Sequence, residues 1–99
     1  MTIRHVVAWK IASTDETERA EQAATVKSRL ESLPAAIPEI QAFEVGLNAL
    51  EGDNFDVVLI SEFADEAALQ RYIAHPVHQE VSAYIRSVIG GRAAIDVEI

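Results

Sequence analysis

The chain has 99 residues, 49% of them apolar and 24% charged, and its 16 acidic against 8 basic residues give a formal charge of −8. That length supports one domain, residues 1–99, with a single modest core. The lack of cysteine removes disulfides, thiol nucleophiles and thiolate metal sites, and the acidic balance argues against nucleic acid and anionic membrane surfaces, which need clustered Lys and Arg.

No apolar run approaches the ~18 residues a membrane helix needs. Met1-Thr2-Ile3-Arg4-His5-Val6-Val7 lacks the basic region, apolar stretch and small-residue cleavage site of a secretory signal. A cytoplasmic location is the default expectation.

From Ile3 to Ile11 the odd positions read Ile, His5, Val, Trp9, Ile, a period-two alternation that predicts a strand with its odd face inward. Ser13-Thr14-Asp15-Glu16 has the form of a capping box opening a helix. Ala20, Ala23, Ala24, Lys27, Leu30 and Leu33 make its stripe, and Pro34 ends it near Leu33. Glu39 to Asn48 alternates again, with Phe43, Val45 and Leu47 on one side. The turn-rich segment Leu50–Asn54 then leads to a strand over Phe55–Phe63, so the two strands read as an antiparallel hairpin.

Asp65 can cap a second helix whose stripe is Ala68, Leu69, Tyr72 and Ile73. Pro76 forces His75 away from helical dihedrals and is itself welcome at the start of a new helix. That helix is predicted to run from Pro76 to about Ile89, with Val77, Val81, Tyr84, Ile85 and Val88 inward and Gly90-Gly91 as its stop. Arg92–Ile99 closes the chain as a strand.

Strand, helix, strand, strand, broken helix, strand is the split pattern of a ferredoxin-like α+β sandwich: a four-stranded antiparallel sheet with helices on one face. The strands at 3–11 and 55–63 are then central, and both are apolar on both sides. The helices cover one face. Val6, Ala8, Val58 and Ile60 on the other face form a patch that a homodimer, packed sheet to sheet, buries at least cost.

Chemistry concentrates in Tyr72-Ile73-Ala74-His75-Pro76-Val77-His78, which holds two of the three histidines. The phase of His78 against Val81 and Ile85 points it inward, toward the space that His5 faces from the first strand. A phenol and imidazoles in an apolar pocket supply acid and base near neutral pH, and suit a small apolar or aromatic ligand. Packing roles stand beside this: His5 bonded within the core, His75 capping a helix, Tyr72 a core aromatic. A cavity lined by His5, Tyr72 and His78 favours a pocket; side chains packed solid against Leu69, Ile73 and Val81 favour a non-catalytic dimer. No metal-ligand spacing, phosphate loop or serine elbow is present, so no metal and no cofactor is expected.

Ile3-Arg4-His5-Val6-Val7, Leu33-Pro34 leading to Ile37-Pro38, Glu44-Val45-Gly46-Leu47-Asn48, Ser61-Glu62-Phe63 and Tyr72-x-x-His75-Pro76-x-His78 together resemble the stress-responsive A/B barrel (Dabb) domain over the whole chain. The resemblance implies a ferredoxin-like fold and a homodimer forming a dimeric α+β barrel. Function varies in that family, from stress-stable structural proteins to a plant polyketide cyclase that closes a ring by intramolecular aldol condensation. Carried over, the cyclase's acid–base pair falls on Tyr72 and His78, with His5 a further pocket residue. Val57 stands where the cyclase has another pocket histidine. The ligand-contacting set expected on these grounds is His5, His75, Val57 and Trp9. Related barrels include heme-handling and quinol-forming monooxygenases, but nothing in this sequence marks a heme ligand. The other reading is a stress-associated structural dimer whose histidines serve packing.

Overall fold

The Val- and Ile-rich strand β1 (Ile3–Ile11) is the element against which the others assemble. A computed structural model describes all 99 residues. Along the chain follow α1 (Glu16–Glu31), α2 (Leu33–Ala36), β2 (Ala42–Leu47), β3 (Val57–Phe63), α3 (Glu66–Ala74), α4 (Pro76–Val88) and β4 (Ile89–Glu98). The four strands form one antiparallel sheet in the order β2-β3-β1-β4, with β1 and β3 central. This is the ferredoxin-like arrangement the element order predicts.

Period two sorts the central strands into two surfaces. His5, Val7 and Trp9 of β1, and Val57, Leu59, Ser61 and Phe63 of β3, are buried on the helix side. Each Leu, Val or Phe so placed contributes about 1.5–3 kcal/mol of burial. On α1 the buried positions are Ala23, Val26 and Leu30, whereas Ala20 and Ala24 of the expected stripe are exposed. The helix is rotated so that the larger Val26 displaces methyl groups from the core.

The ends of α1 also differ in detail from expectation. Asp15, not Ser13, is the N-cap: its Oδ1 accepts from Thr17 N–H at 3.3 Å, while Ser13 Oγ accepts from Asp15 N–H at 3.2 Å. Pro34 stops α1 but sits in the first turn of α2, where its missing N–H costs nothing. Leu33 and Ile37 at the two ends of that turn are fully buried. Asp56, just before β3, ties three elements together. It accepts from Ile11 N–H at 2.7 Å and from Arg19 Nη2 on α1 at 2.9 Å.

Gly90-Gly91 is not a helix stop. No residue near α4's end has positive φ, and Ile89 is already extended at φ −99°, ψ 151°. The chain passes directly from helix to strand, with a register shift between Lys10 and Ile11 where β4 begins. A Cβ at Gly90 would lie 3.4 Å from Ala12 Cα and Cβ, so glycine suits this close approach.

The other sheet surface has no cover within the chain. Val6, Ala8, Val58 and Ile60 are half-buried by their neighbours alone, and Ile95, opposite Val6, is 60% exposed. The Arg4–Glu62 ion pair at 3.0 Å borders this surface across the β1–β3 pair. No helix is long and apolar enough to cross a membrane.

Candidate functional site

The helix side of the sheet is not filled solid. A cavity of about 250 Å³ lies between β1, β4, α3 and α4, with Trp9, Leu59, Val81 and Ile85 among its apolar walls and His5, Tyr72 and His78 among its polar ones. A dry cavity of about 150 Å³ already accommodates benzene. The space therefore suits one substituted ring or a short acyl chain.

Local sequence sets each of these side chains. Asp65 Oδ1 accepts from Ala68 N–H at 2.8 Å and starts α3, so Tyr72 falls on the buried stripe with Ala68 and Leu69. Pro76 enforces the break. His75 takes φ −63°, ψ 134°, and closes α3 through its backbone N–H to Tyr72 O at 3.2 Å. Its Nδ1 accepts from Val77 N–H at 3.1 Å and caps α4. Three residues after His75, His78 lands in the first turn of α4, with its ring centroid 4.4 Å from that of Tyr72.

The electrostatics of Tyr72 and His78 run in opposite directions. Tyr72 is 1% exposed, and burial alone pushes its phenol well above the ordinary tyrosine value, with no hydrogen bond or charge contributing. The hydroxyl is thus a protonated donor without a partner in the protein. For His78, desolvation comes first in lowering the pKa below the usual 6.5, helped by the charges of His5, Arg86 and Arg92, while a backbone hydrogen bond to Ile73 opposes it. That bond runs from His78 Nδ1–H to Ile73 O at 3.0 Å. A carbonyl can only accept, so the proton is on Nδ1 and Nε2 keeps its lone pair.

His5 reaches the same cavity from β1. Its ring centroid lies 6.4 Å from that of Tyr72, and its Nδ1 is hydrogen-bonded to Asp96 Oδ1. A carboxylate accepts, so Nδ1 donates and Nε2 of this imidazole is likewise uncommitted. The pairing follows from register, which sets Asp96 of β4 directly opposite His5. No group of three or more His, Asp or Glu side chains is gathered closely enough to hold a metal ion.

Of the residues expected from sequence, the structure brings His5, Trp9, Tyr72 and His78 together around one cavity. His75 and Val57, also expected to contact a ligand, do not belong to its wall. His75 is spent on the α3–α4 junction. Val57 is 2% exposed, paired with Trp9 at the far end of β1 and packed into the core. Sequence reasoning passed over Asp96, Ser82, Arg86 and Arg92, the last three of which line the cavity. For Ser82 and Arg86 the signal was available, four and eight residues along α4 from His78 on one helical stripe. Asp96 and Arg92 become visible only once the β1–β4 register is known.

The fold is shared with proteins of solved structure. A dimeric ferredoxin-like protein from Bacteroides fragilis is 29% identical, with a TM-score of 0.91 over 99% of this chain and 96% of that one. A dimeric ferredoxin-like protein from Thermobifida fusca is 28% identical, with a TM-score of 0.86 over 100% of this chain and 92% of its own. The hydroxynitrile lyase of Passiflora edulis is 16% identical and superimposes with a TM-score of 0.82 over 99% of this chain and 93% of that one, a likeness of fold. No curated protein matches the sequence. The sheet order, the Tyr-x-x-His-Pro-x-His junction and a sequence match over residues 3–99 agree, and the chain belongs to the stress responsive A/B barrel domain (Dabb) family.

Proposed function

We propose that the protein is a homodimer joined through the open faces of its sheets, each chain carrying a pocket for a small apolar or aromatic carbonyl compound on which Tyr72 and His78 perform acid–base chemistry. The dimer reading is supported by the uncovered surface around Val58, Ile60 and Ile95. It is supported too by the dimeric state of the Bacteroides and Thermobifida proteins. The chemical reading rests on one observation: a buried phenol with no hydrogen-bond partner stands beside an imidazole whose Nδ1 is anchored and whose Nε2 is free.

Such a pair suits proton abstraction next to a carbonyl. His78 Nε2 takes the proton from the α-carbon, and the C–H electron pair passes into the enolate. Tyr72 O–H donates its hydrogen bond to the enolate oxygen. Burial keeps the phenol protonated and the imidazole neutral, so the two pKa values diverge in the senses that donor and base require. The enolate is then free to add to a second carbonyl of the same molecule, which is the aldol type of ring closure. His5, held by Asp96, lines the wall and offers a second imidazole to the ligand. That the Passiflora edulis protein of this fold is a hydroxynitrile lyase agrees with an enzymatic use of the frame.

The test is deuterium uptake from D2O at the α-carbon of a small 1,3-dicarbonyl such as benzoylacetone. The parent is expected to accelerate uptake, and His78→Ala to reduce that acceleration by about 10²–10⁴-fold while keeping fold and dimer. If parent and variant leave uptake at the buffer rate and benzoylacetone shifts no NMR resonance of the cavity, the protein is a structural dimer whose histidines serve packing.

A further inference from the structure

We propose that the pocket takes an amphipathic acid: the apolar body lies between Trp9, Val81 and Ile85, and its carboxylate is bound at the mouth by Arg86 and Arg92. The inference rests on the small-molecule pocket argued above and names its ligand class.

The distribution of the basic residues carries it. In a chain with twice as many acids as bases, Arg4, Lys10, Arg19 and Arg71 are each in an ion pair with a carboxylate. Lys27, Arg29, Arg86 and Arg92 are not, and of these four only Arg86 and Arg92 line the cavity. They arrive from different elements. Arg92 faces the helix side of β4, opposite Trp9, while Arg86 lies two turns along α4 from His78. Arg86 is steadied by donating from Nη1 to Ser82 Oγ at 2.9 Å, and Ser82 is itself part of the wall.

Both cations also lower the pKa of His78, so their field extends to the imidazole at the inner end. Asp96, on the same strand as Arg92, is engaged by His5. Most of the remaining wall is apolar, with Trp9, Leu59, Val81 and Ile85 among it. A neutral ligand of this size leaves two positive groups without counter-charge. A carboxylate satisfies both, and guanidinium matches it in planar, paired hydrogen bonds. Burying the apolar end fixes which way round the ligand enters.

The probes are benzoate and benzamide, equal in shape and different in charge, titrated into the intact protein by NMR. Benzoate is expected to bind at least about tenfold more tightly, with the preference shrinking as salt rises. Arg92→Gln and Arg86→Gln are expected each to cost benzoate about tenfold and benzamide little. Both side chains are exposed, and an unchanged thermal midpoint shows that the variants are folded. Equal binding of the two probes, or benzoate affinity untouched by both substitutions, overturns the anion assignment and leaves the pocket standing. Failure of both probes to bind removes this inference. It does not touch the proton-transfer reading, which benzoylacetone tests separately.

Discussion

The two surfaces of this sheet are made by the same strands and differ in what covers them. On the helix side, Phe63, Leu59, Val7 and Val57 are essentially inaccessible, and His5 and Ser61 are the polar residues buried among them. On the other side, Val6, Ala8, Val58 and Ile60 are apolar but incompletely covered, and Ile95 is largely bare. A β-strand that is apolar at both odd and even positions encodes burial on both faces. The chain supplies helices for one of them. On the dimer proposed above, the difference separates self-sufficient stability from stability that depends on a second copy, and it can be broken by substitutions on each face.

The largest effect is expected on the covered face. Phe63 is fully buried and packs at a tilt against Tyr72 with ring centroids 4.8 Å apart. Phe63→Ala is expected to cost about 3–5 kcal/mol, a large part of the stability of a small domain. In urea denaturation that loss should be the same at every protein concentration. Ile60→Asp, on the bare face, is expected to act differently. A carboxylate there meets no partner charge in an apolar interface, which opposes association of the two chains. The loss should appear as a dissociated dimer in light scattering, with a concentration-dependent midpoint in the parent that vanishes in the variant. A variant that stays dimeric with an unchanged midpoint would show that the copies meet elsewhere.

Tyr72→Phe sharpens the same contrast within the covered face. Removing a hydroxyl that bonds to nothing in the protein leaves no orphaned group, so stability should change by no more than about 0.5 kcal/mol. Deuterium uptake by benzoylacetone, in contrast, should fall by about 10²-fold or more, because the enolate oxygen loses its donor. A phenylalanine variant that is strongly destabilised would mean that the hydroxyl serves the fold instead.

Most of the frame and about half of the site were legible in the residues. The alternation in β1 and β3 marked the central strands, and proline at 76 located the junction that presents Tyr72 and His78. Local rules suffice there because each depends on neighbours within one helical turn or along one strand. Asp96 and Arg92 were beyond reach because their positions follow from pairing between β1 and β4, at opposite ends of the chain. The same long-range pairing converts Gly90-Gly91 from a helix stop into strand. His75 stands outside the cavity for the opposite reason: a local backbone need, the cap of α4, engages its Nδ1. Val57 took its expected role from resemblance alone, and its place in the core follows from strand phase.

The smallest expected effect concerns pH and reads the polarity of the site directly. The folded protein holds His78 below the ordinary histidine value, with burial the main cause and the neighbouring His5, Arg86 and Arg92 adding to it. The unfolded chain takes up a proton near pH 6.5, whereas the folded chain resists doing so. The unfolded state therefore binds more protons between the two values, and stability rises with pH across that window. The contribution of His78 is complete above about pH 6.5. It is lost as pH falls through 6.5 toward the folded value. His78→Gln should flatten that part of the stability–pH curve and leave the rest in place. Catalysis should share the lower limit, since a protonated Nε2 cannot accept a proton from carbon. Because a bound carboxylate between Arg86 and Arg92 offsets two of the charges that depress His78, saturating benzoate should move its NMR titration midpoint upward. Benzamide should leave it where it is, which ties the acid–base pair and the cationic mouth to one cavity.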